Sequence, residues 1–293
     1  MMKSKRYLLP ILLISLAACS QEQDVSDAYG NFEAIEVMVS AESQGRILVF
    51  EPEEGATLNA YQVSVVIDTT QLYLRKIQLE SGFSSLGTRI QTLDAQVRAS
   101  RVQMDNLERE KQRIDKLVEG GAATSKQQDD VVGQIALLEA QIHATESQKS
   151  SVYAERKTLE VQIRQVEDQI MKCSIKNPIY GILLSKYKEA GEMAAPGQPL
   201  YKVANLDELI LRAYVSGNQL SSVAVGKEVR VRFDVQEGLE ETTGVVSWIS
   251  PRAEFTPKII QTREERVNLV YALKIKVSNT GSLKIGMPGE VVF

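Results

Sequence analysis

Apolar positions along the chain change period twice. From Phe83 to Val118 they recur at alternating steps of three and four. Phe83, Ile90, Val97, Met104 and Val118 share one register, and Leu86, Leu93, Leu107 and Ile114 share the register three residues later. After GGAATS at 120–125 the pattern resumes, with Ile135, Ile142, Ile163 and Ile170 alternating with Leu138, Val152, Leu159 and Val166. Such spacing produces a narrow apolar seam and predicts a left-handed coiled coil. With a short glycine turn between the two runs, it reads as an antiparallel helical hairpin. No proline occurs between Pro52 and Pro178 to interrupt it. Arms of about 45 to 50 residues would make the hairpin about 70 Å long at about 1.5 Å per residue.

The seam is imperfect. Ser100, Lys111, Thr145, Lys149 and Arg156 fall on core positions, where polar residues set register at some expense of stability. His143 lies off the seam and is expected to be exposed.

On either side the period shortens toward two, and turn residues become frequent. Residues 32–68 and 173–206 each read as strand, glycine turn, strand. Residues 207–293 continue as strands at 209–215, 228–234, 242–251, 268–277 and 289–293. The first residues differ again. Lys3, Lys5 and Arg6 precede an eleven-residue apolar run at 8–18. That run is too short to cross a bilayer as a helix, which takes roughly 20 residues. This is the pattern of a secretory signal. LAACS at 16–20 looks like a lipobox, with Cys19 as the acylated mature N-terminus, and a plain signal peptide cut near Ala18 is the alternative. With Cys19 acylated, Cys173 has no partner for a disulfide and is expected to be a small buried hydrophobe.

Composition narrows the function classes. Lys plus Arg number 34 against 38 Asp plus Glu, a net charge of −4, which argues against a nucleic-acid partner. A single histidine and two cysteines leave few schemes for metal sites or histidine-based catalysis. No paired carboxylates with positional support, no G-x-S-x-G and no phosphate-binding glycine loop are present. No enzymatic activity, metal or cofactor is expected.

The two strand-rich flanks echo one another. GRIL at 45–48 precedes EEGATL at 53–58, while GILL at 181–184 precedes EAGEM at 189–193 and PGQPL at 196–200. In this order around a heptad hairpin they resemble the halves of a split biotinyl-lipoyl-like β-sandwich. That arrangement is similar to the HlyD-like membrane fusion proteins, the periplasmic adaptors of bacterial tripartite efflux systems. VAVGKEV at 223–229 resembles the adaptor turn before a barrel strand, and LKIGMPGEVVF at 283–293 resembles the family ending. FTPKIIQTREERVNLVYALKIKV at 255–277 resembles the subgroup serving ABC-type exporters. The resemblance covers residues from about 31 to 293.

The implied fold class is α+β, an elongated multidomain chain. It comprises a β-barrel domain, a split biotinyl-lipoyl-like β-sandwich and a long antiparallel α-helical coiled-coil hairpin. The expected boundaries are a signal peptide at 1–18, a lipidated tether at 19–31, a lipoyl-like domain from 32–69 and 173–206, the hairpin at 70–172 and the barrel at 207–293. The membrane-proximal domain that adaptors often build from both chain ends is expected to be small or absent.

Further implications concern partners. The resemblance implies an adaptor linking an inner-membrane transporter, ABC-type or alternatively RND-type, to a TolC-like outer-membrane channel for export of small molecules. It also implies a ring-shaped homo-oligomer, a hexamer in the family, and a periplasmic location in a Gram-negative bacterium with a lipid anchor. Ser20 after the cysteine would favour outer-membrane sorting in some bacteria, against an inner-membrane role. A non-transport coiled-coil scaffold is the other reading, and a lipoyl carrier is disfavoured because the hairpin replaces the turn that bears a carrier's modified lysine. Family members dock on the channel through an Arg, a Leu four residues later and a Ser about seven beyond, around the hairpin turn. The match is Arg113, Leu117 and either Thr124 or Ser125, with Gly120 and Gly121 in the turn. Glycine and hydroxyl residues would serve any helix turn as caps, so capping and docking both remain open at 120–125.

Overall fold

The computed structural model describes residues 26–236, 238–255 and 269–293. The expected signal segment 1–18, Cys19 and most of the expected tether lie outside the described residues, as does 256–268 within the subgroup-like stretch. The described chain forms two compact units, one of residues up to Ile35 with Leu206–Phe293, the other Glu36–Asn205.

In chain order the strands before the hairpin are β1 Ala28–Glu33, β2 Glu36–Ser40, β3 Gly45–Val49, β4 Thr57–Leu58 and β5 Val63–Ile67. Helices α1 Thr70–Glu119 and α2 Ser125–Met171 follow. Then come β6 Ser174–Lys176, β7 Gly181–Lys186, β8 Met193–Ala194, β9 Pro199–Ala204 and β10 Glu208–Ser216. The last strands are β11 Glu228–Val235, β12 Gly238–Ile249, β13 Glu254–Phe255, β14 Leu269–Ser278 and β15 Pro288–Val292.

The first unit is a closed antiparallel barrel. Its strands run β10-β1-β15-β11-β12-β14, and β14 pairs back onto β10, with β13 appended to β14. Closure removes the exposed edges that an open sheet would carry. Alternate residues point inward: Leu209, Leu211, Ala213 and Val215 of β10 are buried, as are Leu273, Ile275 and Val277 of β14. Phe32 of β1 meets Phe233 edge-on, ring centroids 6.3 Å apart.

This barrel corrects one boundary. Residues 28–31, expected within the tether, belong to β1, which sits between β10 and β15 with Tyr29 opposite Tyr214 and Glu290. The physical reason is a close approach. A Cβ on residue 30 would lie 2.0 Å from the Arg212 carbonyl oxygen. Only glycine therefore lets β10 come this near. The lipoyl-like unit correspondingly starts at Glu36 rather than 32.

The second unit holds a sandwich of two sheets, β2-β9-β7-β4 and β6-β5-β3-β8. Each sheet takes strands from both sides of the hairpin, so neither sequence half is a sheet by itself. Ile47, Leu58, Ile67, Leu183, Leu200 and Tyr201 fill the core with Cys173, which is fully buried. The Tyr201 hydroxyl lies 2.7 Å from Ser64 Oγ, and Asn177 joins them.

From the sandwich α1 and α2 rise as the antiparallel pair. Each is about 70 to 75 Å long at about 1.5 Å per residue. Leu86, Ile90, Leu93 and Val97 of α1 and Val131, Ile142, Val152 and Val166 of α2 are buried along the seam. Two of the polar seam residues are matched across it. The Arg156 guanidinium stacks on the Phe83 ring, 4.3 Å from its centroid, in a cation–π contact. Lys149 Nζ lies 2.9 Å from Asp94.

Candidate functional site

The hairpin tip gathers the predicted docking residues within two turns of each helix end. Helix α1 stops through backbone geometry. Gly121 has a φ of +74°. This left-handed conformation is costly for a residue with a side chain and suits glycine. The Gly121 N–H then donates to the Val118 carbonyl at 3.0 Å and the Ala122 N–H to the Leu117 carbonyl at 2.8 Å. Those two bonds form a Schellman motif, which satisfies carbonyls the helix would leave open. Gly120 has an ordinary helical φ of −82° and needs no glycine on that ground.

Helix α2 starts on a side chain. Thr124 is extended, and its Oγ1 accepts from the Gln127 N–H at 3.4 Å. Gln127 Oε1 accepts from the Thr124 N–H at 2.9 Å. Each residue thus satisfies the other's open donor in a capping box. The choice between the two hydroxyls is thereby resolved for capping: Thr124 caps, and Ser125 is the first helical residue, exposed. Thr124→Ala is therefore expected to destabilise the helices by about 1 kcal/mol, whereas Ser125→Ala should change stability by less than about half of that. Helical circular dichroism in a urea series measures both, and equal effects would contradict the capping assignment.

Arg113 and Leu117 lie one turn apart on α1, on its outward side. The Arg113 side chain is 70% exposed and pairs only within its helix, to Glu110. Leu117 is 43% exposed, high for an apolar residue whose neighbour Val118 turns toward the seam. Beneath them, a cluster of which the heptad pattern flagged only Lys111 ties the helices together. Asp115 accepts from Lys111 Nζ at 3.0 Å and, across the hairpin, from Gln128 Nε2 at 2.8 Å. The hydrogen bond from Lys111, then that from Gln128, holds the Asp115 carboxyl below the ordinary carboxylate range, because both favour its charged form. The tip thus offers a rigid, capped turn with an exposed cation and an exposed apolar side chain, chemistry suited to docking. Among the described residues no group of three or more His, Cys, Asp or Glu is placed to hold a metal ion.

No family model matches the chain. A UPF0194 membrane protein in the asrC 5' region of Acidithiobacillus ferridurans is 35% identical over 115 residues, which is 39% of this chain and 34% of that protein. A UPF0194 membrane protein of Yersinia pestis is 35% identical over 117 residues, 40% of this chain and 35% of that protein. The matches thus span about a third of the length of these curated relatives. Among solved structures, MacA from Actinobacillus actinomycetemcomitans covers 91% of this chain with a TM-score of 0.62, at 19% identity and over 78% of MacA. The membrane fusion protein Spr0693 from Streptococcus pneumoniae R6 covers 90% of this chain with a TM-score of 0.51, at 15% identity and over 96% of Spr0693. The chain shares the fold of these two structures, with the expected barrel, split sandwich and helical hairpin all present. Among the described residues no helix is long and apolar enough to cross a membrane.

Proposed function

We propose that this chain is a periplasmic adaptor, joining an inner-membrane transporter to an outer-membrane channel for export of small molecules. The observation that carries the reading is the tip: a long two-helix arm on an adaptor fold ends in a tightly capped turn presenting Arg113 and Leu117 to solvent. An arm with a narrow apolar seam gains from neighbours that cover its remaining apolar surface, which fits a ring of copies; that the ring is a hexamer is what the family resemblance implies. An ABC-type transporter is the proposed inner-membrane partner, on the strength of the stretch at 255–277, which resembles the subgroup serving such exporters. Cys19 carries the lipid anchor in this scheme, and several acyl chains together supply the stable membrane attachment that one chain does not. Mass spectrometry of the mature N-terminus should find an acylated Cys19, and an unmodified terminus or a terminus at another residue would remove the anchor.

The docking test is charge reversal. Arg113→Asp should abolish export and cross-linking to the channel protein while the thermal transition moves little. The residue is exposed and its ion pair lies within one helix, and such pairs contribute little to stability. Leu117→Ser should act similarly by removing an apolar contact. Normal export by Arg113→Asp at wild-type abundance would reduce the tip to a turn.

A further inference from the structure

The sandwich repeats its own turns. The Gly55 and Gly191 N–H groups donate to the Leu183 and Ile47 carbonyls, each at 2.8 Å. The N–H of Tyr61 donates to the Asn177 carbonyl at 2.7 Å, and that of Gly197 to the Ala41 carbonyl at 2.8 Å. Gln62 Oε1 accepts from the Asn59 N–H at 3.0 Å, and Gln198 Oε1 from the Ala195 N–H at 3.2 Å. These matched bonds relate the turn 59–62 to the turn 195–198 by a pseudo-two-fold. At one position the two turns differ in kind. Gly197 has a φ of +81°, and its counterpart is Tyr61 at +62°, the one non-glycine residue with a positive φ among the described residues. Glycine adopts that conformation freely, whereas a bulky residue is strained by it. The strain brings the Tyr61 ring no anchorage. The residue is 78% exposed, and its hydroxyl has no hydrogen-bond partner among the described residues. Strain of this kind collects where a chain makes contact with something else.

Its surroundings carry more of the same chemistry. Asn177 Nδ2 donates to the Asn59 and Ile179 carbonyls, so the bend at 177–180 lies against the turn. Tyr180 on that bend is 46% exposed, Val63 is exposed just after the turn, and the exposed Lys176 stands opposite Val63 in the strand register. The rings stand out from the surface, whereas small-molecule sites are concave. Tyrosine loses few torsions on contact and is among the residues that dominate protein interfaces. Direction selects the partner. β5 runs from this turn into α1, and β6 runs from α2 back toward it, so the patch sits at the end of the sandwich away from the arm. The counterpart turn sits at the arm's root, where Cys173 Sγ lies 3.3 Å from Ser43 Oγ.

We propose that Tyr61 and Tyr180 dock on the periplasmic surface of the inner-membrane transporter, in an apolar pocket with a carboxylate at its rim facing Lys176. The proposal rests on the adaptor reading above, in which the arm tip takes the channel and the opposite end of the sandwich is left to the transporter.

The test uses the full chain in cells that export. A benzophenone amino acid at 61 or 180 should cross-link on illumination to a multi-span inner-membrane protein, and one at Gln44, the counterpart of Tyr180, should not. Tyr61→Gly should hold or raise the unfolding temperature, because glycine suits that backbone. The cross-link from 180 should meanwhile fall about tenfold, the size of one interface hot spot, and Tyr61→Phe should retain it. A lower unfolding temperature in Tyr61→Gly with an undiminished cross-link would assign the ring to the fold and overturn the docking role. Cross-links from 61 confined to other copies of this chain would overturn the transporter as occupant. No protein cross-linked from 61 or 180, with the same probe at Ser125 still reaching the channel, would overturn this surface and leave the adaptor reading standing. No cross-link from any of the three positions would overturn both.

Discussion

Phe32→Ala should cost the barrel about 3–5 kcal/mol, the range for emptying a large aromatic site in a packed core. Phe32 is fully buried and meets Phe233 edge-on. Both of its backbone groups are bonded to the segment before β15, the N–H donating to the Met287 carbonyl at 2.9 Å and its carbonyl accepting from the Gly286 N–H at 2.7 Å. Collapse into the vacancy would have to move β1, and β1 is the strand that closes the barrel between β10 and β15. The chain's single tryptophan, Trp248, lies on β12, so its fluorescence follows this unit alone. A urea series should show the tryptophan transition falling to lower denaturant while the helical signal of α1 and α2 holds. Phe32→Leu should cost far less. An unchanged tryptophan transition in Phe32→Ala would mean that β1 is not integral to the barrel.

Asn177→Ala is the largest expected effect in the sandwich, about 3 kcal/mol, because it strands buried partners rather than merely removing a bond. Asn177 is fully buried. Its Nδ2 donates to the Asn59 carbonyl at 3.3 Å and to the Ile179 carbonyl, and its Oδ1 accepts from the Tyr201 hydroxyl at 3.3 Å. Its own N–H and carbonyl bind Gln62 and Tyr61. Tyr61 has a φ of +62°. That conformation is costly for a bulky side chain, and the Asn177 contacts hold it there. The substitution should lower the unfolding temperature seen by tyrosine near-ultraviolet circular dichroism and open the 59–62 turn to proteolysis. Tyr201→Phe, which leaves Asn177 in place, should cost about 1 kcal/mol. Stability of Asn177→Ala within about half a kcal/mol of the parent would show that the network is dispensable.

The hairpin was legible because its burial follows from spacing alone: the residues assigned to the seam by period are those that turn inward. How polar seam residues are accommodated was not legible, since the stacking of Arg156 on Phe83 depends on the register between helices, which neither helix states by itself. The same limit hid Asp115 and Gln128 at the tip. Thr124 as cap could have been found, because Gln127 three residues on completes the capping-box pattern. The first barrel strand could not be read this way. AYGNFE contains Gly30 and Asn31, poor strand formers. It becomes a strand only because β10 needs glycine at that crossing.

The order in which these parts interrupt one another bears on how the chain closes its loops. The helices lie inside the sandwich in sequence, and the sandwich lies inside the barrel. Once α1 and α2 zip from their short turn, residues 67 and 174 become near neighbours, and β5 can pair with β6 without gathering in a free loop of the intervening chain. Pairing of β2 with β9 then sets Glu36 opposite Ala204, and β1 finds β10 across a gap of a few residues instead of the whole interval from 33 to 210. Each stage thereby converts a distant pairing into a local one, and closure entropy that grows with the logarithm of loop length is met in small steps. A topology that looks slow by sequence separation is thus arranged to assemble from the turn at 120–124 inward, with the barrel sealed last.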